Sequence, residues 1–281
     1  MSTPPSKTPE GSPSGTPGIR RVGPDGRPIG PDGKPMGPLF MRDEYKNLTE
    51  EFTKDVKKDL SKEVKSLLLI GSYVSEEHIA GESDCDFLII LNEKASGENF
   101  EKSMEAISKI VYKYLEDPLF GSIIDVEVLG ANDVPTNGET EYPWTKVLVA
   151  QRGRALIGNN PFTKIKVKEE DVKISAKEMA TVYLEQLEEI INDEEIDEYD
   201  KLYLTVEAVL GSGCAYLYYQ GEKDFYRSSA IILFEDKYRN KLDIGPIQIS
   251  HGLRLAAKTL DTKNYIPKSL DFCKKIVALL K

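Results

Sequence analysis

Two short apolar runs, Leu67-Leu68-Leu69-Ile70 and Phe87-Leu88-Ile89-Ile90-Leu91, constrain this 281-residue chain more than any other feature, because of what stands between them. Each has the length and bulk of a buried strand. The first runs directly into Gly71-Ser72, and the second is opened by Ser83-Asp84-Cys85-Asp86 after a spacer of ten residues. In a strand, residues i and i+2 point to the same side, so the carboxylates of Asp84 and Asp86 converge while Cys85 and Phe87 turn to the other face. Paired carboxylates of this kind are the oxygen ligands that hard divalent cations take, and Mg2+ is usually held by one or two of them together with substrate phosphates. A glycine straight after an apolar strand lets backbone N–H groups approach a phosphate closely, and the serine adds a hydroxyl. The combination predicts a magnesium-nucleotide site. Either half alone is a common turn or strand-end signal.

At these residues the chain resembles the nucleotidyltransferase superfamily of the DNA polymerase beta type, whose signature is Gly-Ser, a short spacer, then Asp-x-Asp leading into a strand. The resemblance implies a nucleoside triphosphate, ATP above all, bound through Mg2+ at Gly71, Ser72 and Ser83, with Asp84 and Asp86 as metal ligands. It also implies a third carboxylate on a later strand. Ser122-Ile123-Ile124-Asp125-Val126-Glu127-Val128-Leu129 alternates apolar and acidic residues with period two, so Asp125 and Glu127 share a face. Asp125 is the better match to the family pattern, and Glu127 stays open as the alternative third carboxylate and metal ligand.

The composition, 40% hydrophobic and 30% charged, is that of a globular protein. Net charge is −10, and because the first forty residues hold five basic and three acidic side chains, the remainder carries −12. Nucleic acid is an unfavourable partner for such a surface, since its binding draws on Lys and Arg neutralising phosphates. Cys85, Cys214 and Cys273 lie far apart and show no ligand spacing, which fits reduced thiols and a cytoplasmic setting. No apolar run approaches membrane-spanning length, and the N-terminus has no apolar signal-like core.

Three regions are expected. Residues 1–40 are rich in Ser, Thr, Pro and Gly and repeat Gly23-Pro24-Asp25-Gly26-Arg27-Pro28 as Gly30-Pro31-Asp32-Gly33-Lys34-Pro35, which predicts a disordered tail. Residues 41–160 read as helix, strand, turn, strand, helix, strand. Tyr45, Leu48, Phe52, Val56, Leu60 and Val64 mark the first helix, and Met104, Ile107, Ile110, Val111 and Leu115 the second. Residues 161–281 carry helical patterns at 176–192, 201–219, 228–241, 247–259 and 267–280, the last with Pro267 in its first turn. The fold class is therefore α+β, a small mixed sheet in a catalytic domain followed by a helical bundle that binds substrate or serves as an accessory.

The stretch 147–158, the helix beginning near Leu204 and the turn Gly221-Glu222-Lys223 resemble bacterial aminoglycoside adenylyltransferases. That likeness implies ATP contacts from Lys223 or Arg227 and transfer of AMP to a hydroxyl of a small, aminoglycoside-like acceptor. Nine acids between Glu185 and Asp200 fit steering of a polycation, and equally the solvated end of a surface helix. Similar two-part chains include protein-AMPylating regulators of the toxin–antitoxin kind, and a third alternative is a nucleotide-binding module without turnover. His78, inside the spacer, is read as lining the phosphate site or as a solvated loop residue. His251 carries no assigned role. Trp144, the only tryptophan, and the tyrosines at 203, 216, 218 and 219 are read as core or as stacking surfaces.

Overall fold

A computed structural model describes residues 21–22, 28–29, 42–76, 78, 83–95, 99–121, 123–136, 140–225, 227, 229–256 and 262–280. Most of the expected disordered tail lies outside these residues. Within it, two-residue strands β1 (Arg21–Val22) and β2 (Pro28–Ile29) pair antiparallel on either side of the first Pro-Asp-Gly repeat.

Helix α1 (Arg42–Asp59) buries the predicted stripe of Tyr45, Leu48, Phe52 and Val56, each at 0% exposure. It lies against a four-stranded sheet of order β5-β4-β3-β6, made from β3 (Val64–Ile70), β4 (Cys85–Leu91), β5 (Ile124–Leu129) and β6 (Arg154–Ile157). Strand β3 runs antiparallel to both β4 and β6, whereas β4 and β5 are parallel. The β4–β5 crossover is supplied by α2 (Phe100–Leu115), as parallel neighbours require.

The sheet is covered on both faces, and the pleat sorts its residues. Leu67, Leu69, Cys85, Phe87, Ile89 and Ile124 face α1 and α2, where Phe52 lies 4.6 Å from the Phe87 ring and 5.3 Å from that of Tyr114. On α2 the inward face differs from the expected one. Tyr114 is buried and donates to Asp55 Oδ2 at 2.8 Å, while Leu115 is 43% exposed, because steps of three and four from Ile107 return to Val111 and then Tyr114. Leu68, Leu88, Ile90 and Leu129 face the opposite way, onto Val147 and Ala150 of α3 (Trp144–Gln151) and onto Phe162.

The sequence pattern did not show β6. Arg154-Ala155-Leu156-Ile157 is short and half exposed, and it becomes a strand only by adding to the free edge of β3. Asn160 closes this corner by donating to the Ala150 and Gly153 carbonyls at 2.8 and 3.0 Å.

The remaining helices are α4 (Glu169–Asn192), α5 (Glu198–Tyr219), α6 (Ala230–Lys237), α7 (Gly245–Ala256) and α8 (Thr262–Leu279). Their shared core includes Leu187, Val209, Phe234 and Cys273, and it reaches Leu148 of α3. Pro267 sits inside α8, not in its first turn. The extra turn buries Tyr265, whose hydroxyl lies 2.6 Å from Ser250 Oγ on α7.

Because Phe52 is enclosed by two rings and fully buried, Phe52→Ala is expected to lower the unfolding free energy by about 3–5 kcal/mol. Urea denaturation monitored by circular dichroism measures this as a lower midpoint with an unchanged slope.

Candidate active site

The carboxylates meet because of strand register. Asp86 pairs with Ile70 on the antiparallel side and with Asp125 on the parallel side, so Asp86 and Asp125 stand next to each other on adjacent strands. Both belong to the Leu68–Leu88–Leu129 face of the sheet, together with Glu127. Asp84 precedes β4 by one residue and is half-buried. Ser83 is buried, and its carbonyl accepts the Tyr45 hydroxyl at 2.7 Å, which ties the start of the motif to α1.

Gly71 ends β3 with φ +75°, a left-handed conformation that side chains disfavour. A Cβ there would lie 2.0 Å from Asp86 Oδ2, so only glycine lets the turn close over this carboxylate. Ser72 follows at the cleft wall, and its carbonyl accepts Ser75 Oγ at 2.9 Å. His78 is half-buried and not part of the cleft wall: its ring packs 4.8 Å from Tyr45 and 4.9 Å from Tyr73.

Like charge held in a partly dry site raises proton affinity. Burial, then Asp84 and Asp125, pushes the Asp86 carboxyl up to about 7, with Arg227 opposing. The Asp125 carboxyl is also raised, by burial and then by Glu127. Glu127 itself is engaged, accepting Lys146 Nζ at 2.7 Å and the Tyr142 hydroxyl at 3.2 Å. Asp125 is therefore the acid beside Asp86, and Glu127 belongs to the neighbouring ion pair.

The donor set suits a hard cation. It is all oxygen, and the mutual repulsion of Asp84, Asp86 and Asp125 is what a bound cation relieves. Among the described residues no three His, Cys, Asp or Glu side chains converge closely enough to enclose an ion by themselves.

Gly71, Ser72, Ser83, Asp84 and Asp86, but not Asp125, line a cleft of about 700 Å3 between the sheet and the helices α4, α5 and α7. Arg227 lines it, forms an ion pair with Glu207 of α5 and donates to the Tyr183 hydroxyl at 3.4 Å. Lys223 is not among the lining residues, and its charge acts instead on Glu169 at the start of α4. Arg152 also lines the cleft and donates to the Phe225 carbonyl at 2.8 Å, joining α3 to the loop before α6. None of the nine acids between Glu185 and Asp200 lines it. Glu188 pairs with Lys274 at 3.0 Å, and Asp197 caps α5 by accepting the Asp200 N–H at 2.8 Å.

A family model described as a nucleotidyltransferase domain matches residues 49–202, more than half of the chain. The chain belongs to this family. Among solved structures, the nucleotidyltransferase is similar in fold to spectinomycin adenyltransferase AAD(9) from Enterococcus faecialis, solved with ATP and spectinomycin. The TM-score is 0.57 at 14% identity, over 84% of this chain and 99% of that one. No curated protein matches in sequence.

Sequence reading missed the wall that the helices supply to this nucleotidyltransferase: Arg152, Glu178, Tyr183, His251 and Arg254. Arg152 stood within the stretch 147–158, but no local pattern marked the others, because they come from two helices, α4 and α7, and meet only in the folded chain.

Two expectations follow. A carboxyl whose pKa is raised from about 3.9 on folding leaves stability intact below that value and costs stability as pH rises through about 7. Asp86→Asn should therefore stabilise the metal-free protein by about 2 kcal/mol near pH 8 and have little effect near pH 4, measured by urea unfolding in chelator. Gly71→Ala should displace the Asp86 carboxylate and lower transfer by at least about 100-fold, read in a nucleotide-transfer assay at saturating substrate.

Proposed function

We propose that this nucleotidyltransferase moves a nucleoside monophosphate, AMP from ATP, to a hydroxyl of a small acceptor bound in the cleft. The observation that carries this reading is the pairing of Asp86 with Asp125 on adjacent strands, with Asp86 packed against the Gly71 turn and Gly71, Ser72, Asp84 and Asp86 lining one cleft. The shared fold is one solved elsewhere with ATP and spectinomycin, which supports an arrangement of nucleotide and small acceptor.

In this reading Asp84 and Asp86 hold Mg2+, which when bound neutralises phosphate charge and orients the triphosphate for in-line attack. Gly71 and Ser72 present backbone and hydroxyl donors to the β and γ phosphates. Arg227, held by Glu207, faces the same carboxylates and adds positive charge beside the leaving phosphates. Asp125, with its raised proton affinity, accepts the acceptor's hydroxyl proton. The hydroxyl oxygen bonds to the α phosphorus, the bond to the α–β bridging oxygen breaks, and pyrophosphate leaves with the electron pair.

A cavity of this volume suits a small molecule better than a protein side chain delivered by a partner. The presence of all three carboxylates supports turnover over a binding-only module. Three free, buried cysteines support a reducing, cytoplasmic setting. Among the described residues no helix is long and apolar enough to cross a membrane.

The test is transfer of label from α-labelled ATP to a panel of hydroxyl compounds, with Mg2+ and with chelator. Asp84→Asn combined with Asp86→Asn should reduce transfer by at least about 100-fold while circular dichroism stays that of the wild type. Transfer at the wild-type rate by the double variant would remove the catalytic assignment.

A further inference from the structure

The charges lining the cleft do not suit a polycation. Its acids are Asp84 and Asp86, both at the metal end, and Glu178, which is exposed at the rim of α4. Against these stand Lys146, Arg152, Arg227 and Arg254. Three of the four cations already have acceptors within the protein: Lys146 is held by Glu127, Arg227 by Glu207 and Arg152 by the Phe225 carbonyl. Arg254 differs. It is half-buried on α7, and among the described residues its guanidinium makes no hydrogen bond or ion pair. His251, three residues earlier and so on the same helix face, lines the cleft beside it. The lining also includes apolar side chains, Met179 and Val182 of α4 and Leu210 of α5.

A guanidinium half withdrawn from water without a partner is costly to hold, and it presents a fork of donors matched to a carboxylate or phosphate. Resting on the transferase reading above, we propose that the acceptor is an anion: a hydroxyl compound bearing a carboxylate or phosphate that Arg254 binds, with an apolar flank against Met179 and Val182. This departs from the cationic, aminoglycoside-like acceptor that family resemblance implies. The acidic run from Glu185 to Asp200, which was the local support for a cation, lies outside the cleft wall.

Trp144, the single tryptophan, begins α3 between the cleft-lining residues Pro143 and Thr145, and its fluorescence would be followed as a probe of occupancy. The full chain would be titrated with gluconate, glycerol 3-phosphate, inositol and spectinomycin, each with and without Mg2+ and a non-hydrolysable ATP analogue, with calorimetry in parallel. Expected is binding of gluconate or glycerol 3-phosphate, the preference between them telling carboxylate from phosphate, at least tenfold tighter than that of inositol or spectinomycin. Arg254→Gln should weaken the anion at least tenfold, Arg254→Lys by less, and Glu178→Gln not at all. The affinity of the analogue should stay within twofold in all three variants, and an unchanged melting temperature would show that they fold.

Preference for spectinomycin, lost in Glu178→Gln, would overturn the proposal, as would failure of both anions to bind. Equal weakening of the analogue in Arg254→Gln would also overturn it by giving Arg254 to the nucleotide. Should the analogue fail to bind the wild type, the transferase reading falls instead, and Arg254-dependent anion binding without nucleotide would leave the anion site standing.

Discussion

Three carboxylates crowd one end of a small sheet, and their mutual repulsion is the constraint around which the surrounding structure is arranged. Asp86 is brought beside Asp125 by the parallel register of β4 and β5, with Asp84 just before the strand. Arg227 and Lys146 offset part of that charge. The protein holds it by anchoring the backbone on either side: Tyr45 of α1 grips the Ser83 carbonyl, and Gly71 folds the preceding turn against the carboxylate itself. In the proposed function the same charges that cost stability in the metal-free protein serve as ligands to a divalent cation.

The helical half matters to this end of the sheet through two arginines. Arg227 reaches the carboxylates from the loop between α5 and α6 and is fixed by Glu207, while Arg152 leaves the end of α3 to hold the Phe225 carbonyl in that same loop. The loop is thus bound from both sides of the cleft. Positive charge placed by such contacts costs no reorganisation when phosphate charge develops, which is where preorganised sites gain most. Beyond them the cleft is walled by α4, α5 and α7.

Much of the fold could be read before any coordinate. The apolar stripe from Tyr45 to Val56 became the buried face of α1, and both apolar runs became β3 and β4, since long segments of strong periodicity express a local preference that packing reinforces. Short or edge elements escaped. Strand β6 has four residues and exists because β3 offered an unpaired edge, and the inward turn of Tyr114 in place of Leu115 depended on where α2 met α1. His78 was placed in the solvent or at the phosphates, yet the rings of Tyr45 and Tyr73 enclose it, a contact no local pattern encodes.

What the sequence determined by itself is the chemistry of one corner: glycine where the turn must pass a carboxylate, and aspartates two apart at a strand start, both consequences of backbone geometry over a few residues. Tertiary structure distinguishes Asp125 from Glu127. Period-two alternation puts both on one face, and only the β4–β5 register sets Asp125 next to Asp86, with Lys146 and Tyr142 occupying Glu127. It also decided the charge of the cleft. The chain is acidic overall, yet the wall brings together Arg152, Arg227 and Arg254 from segments far apart in sequence, because helix packing and not net charge selects which side chains share a cavity.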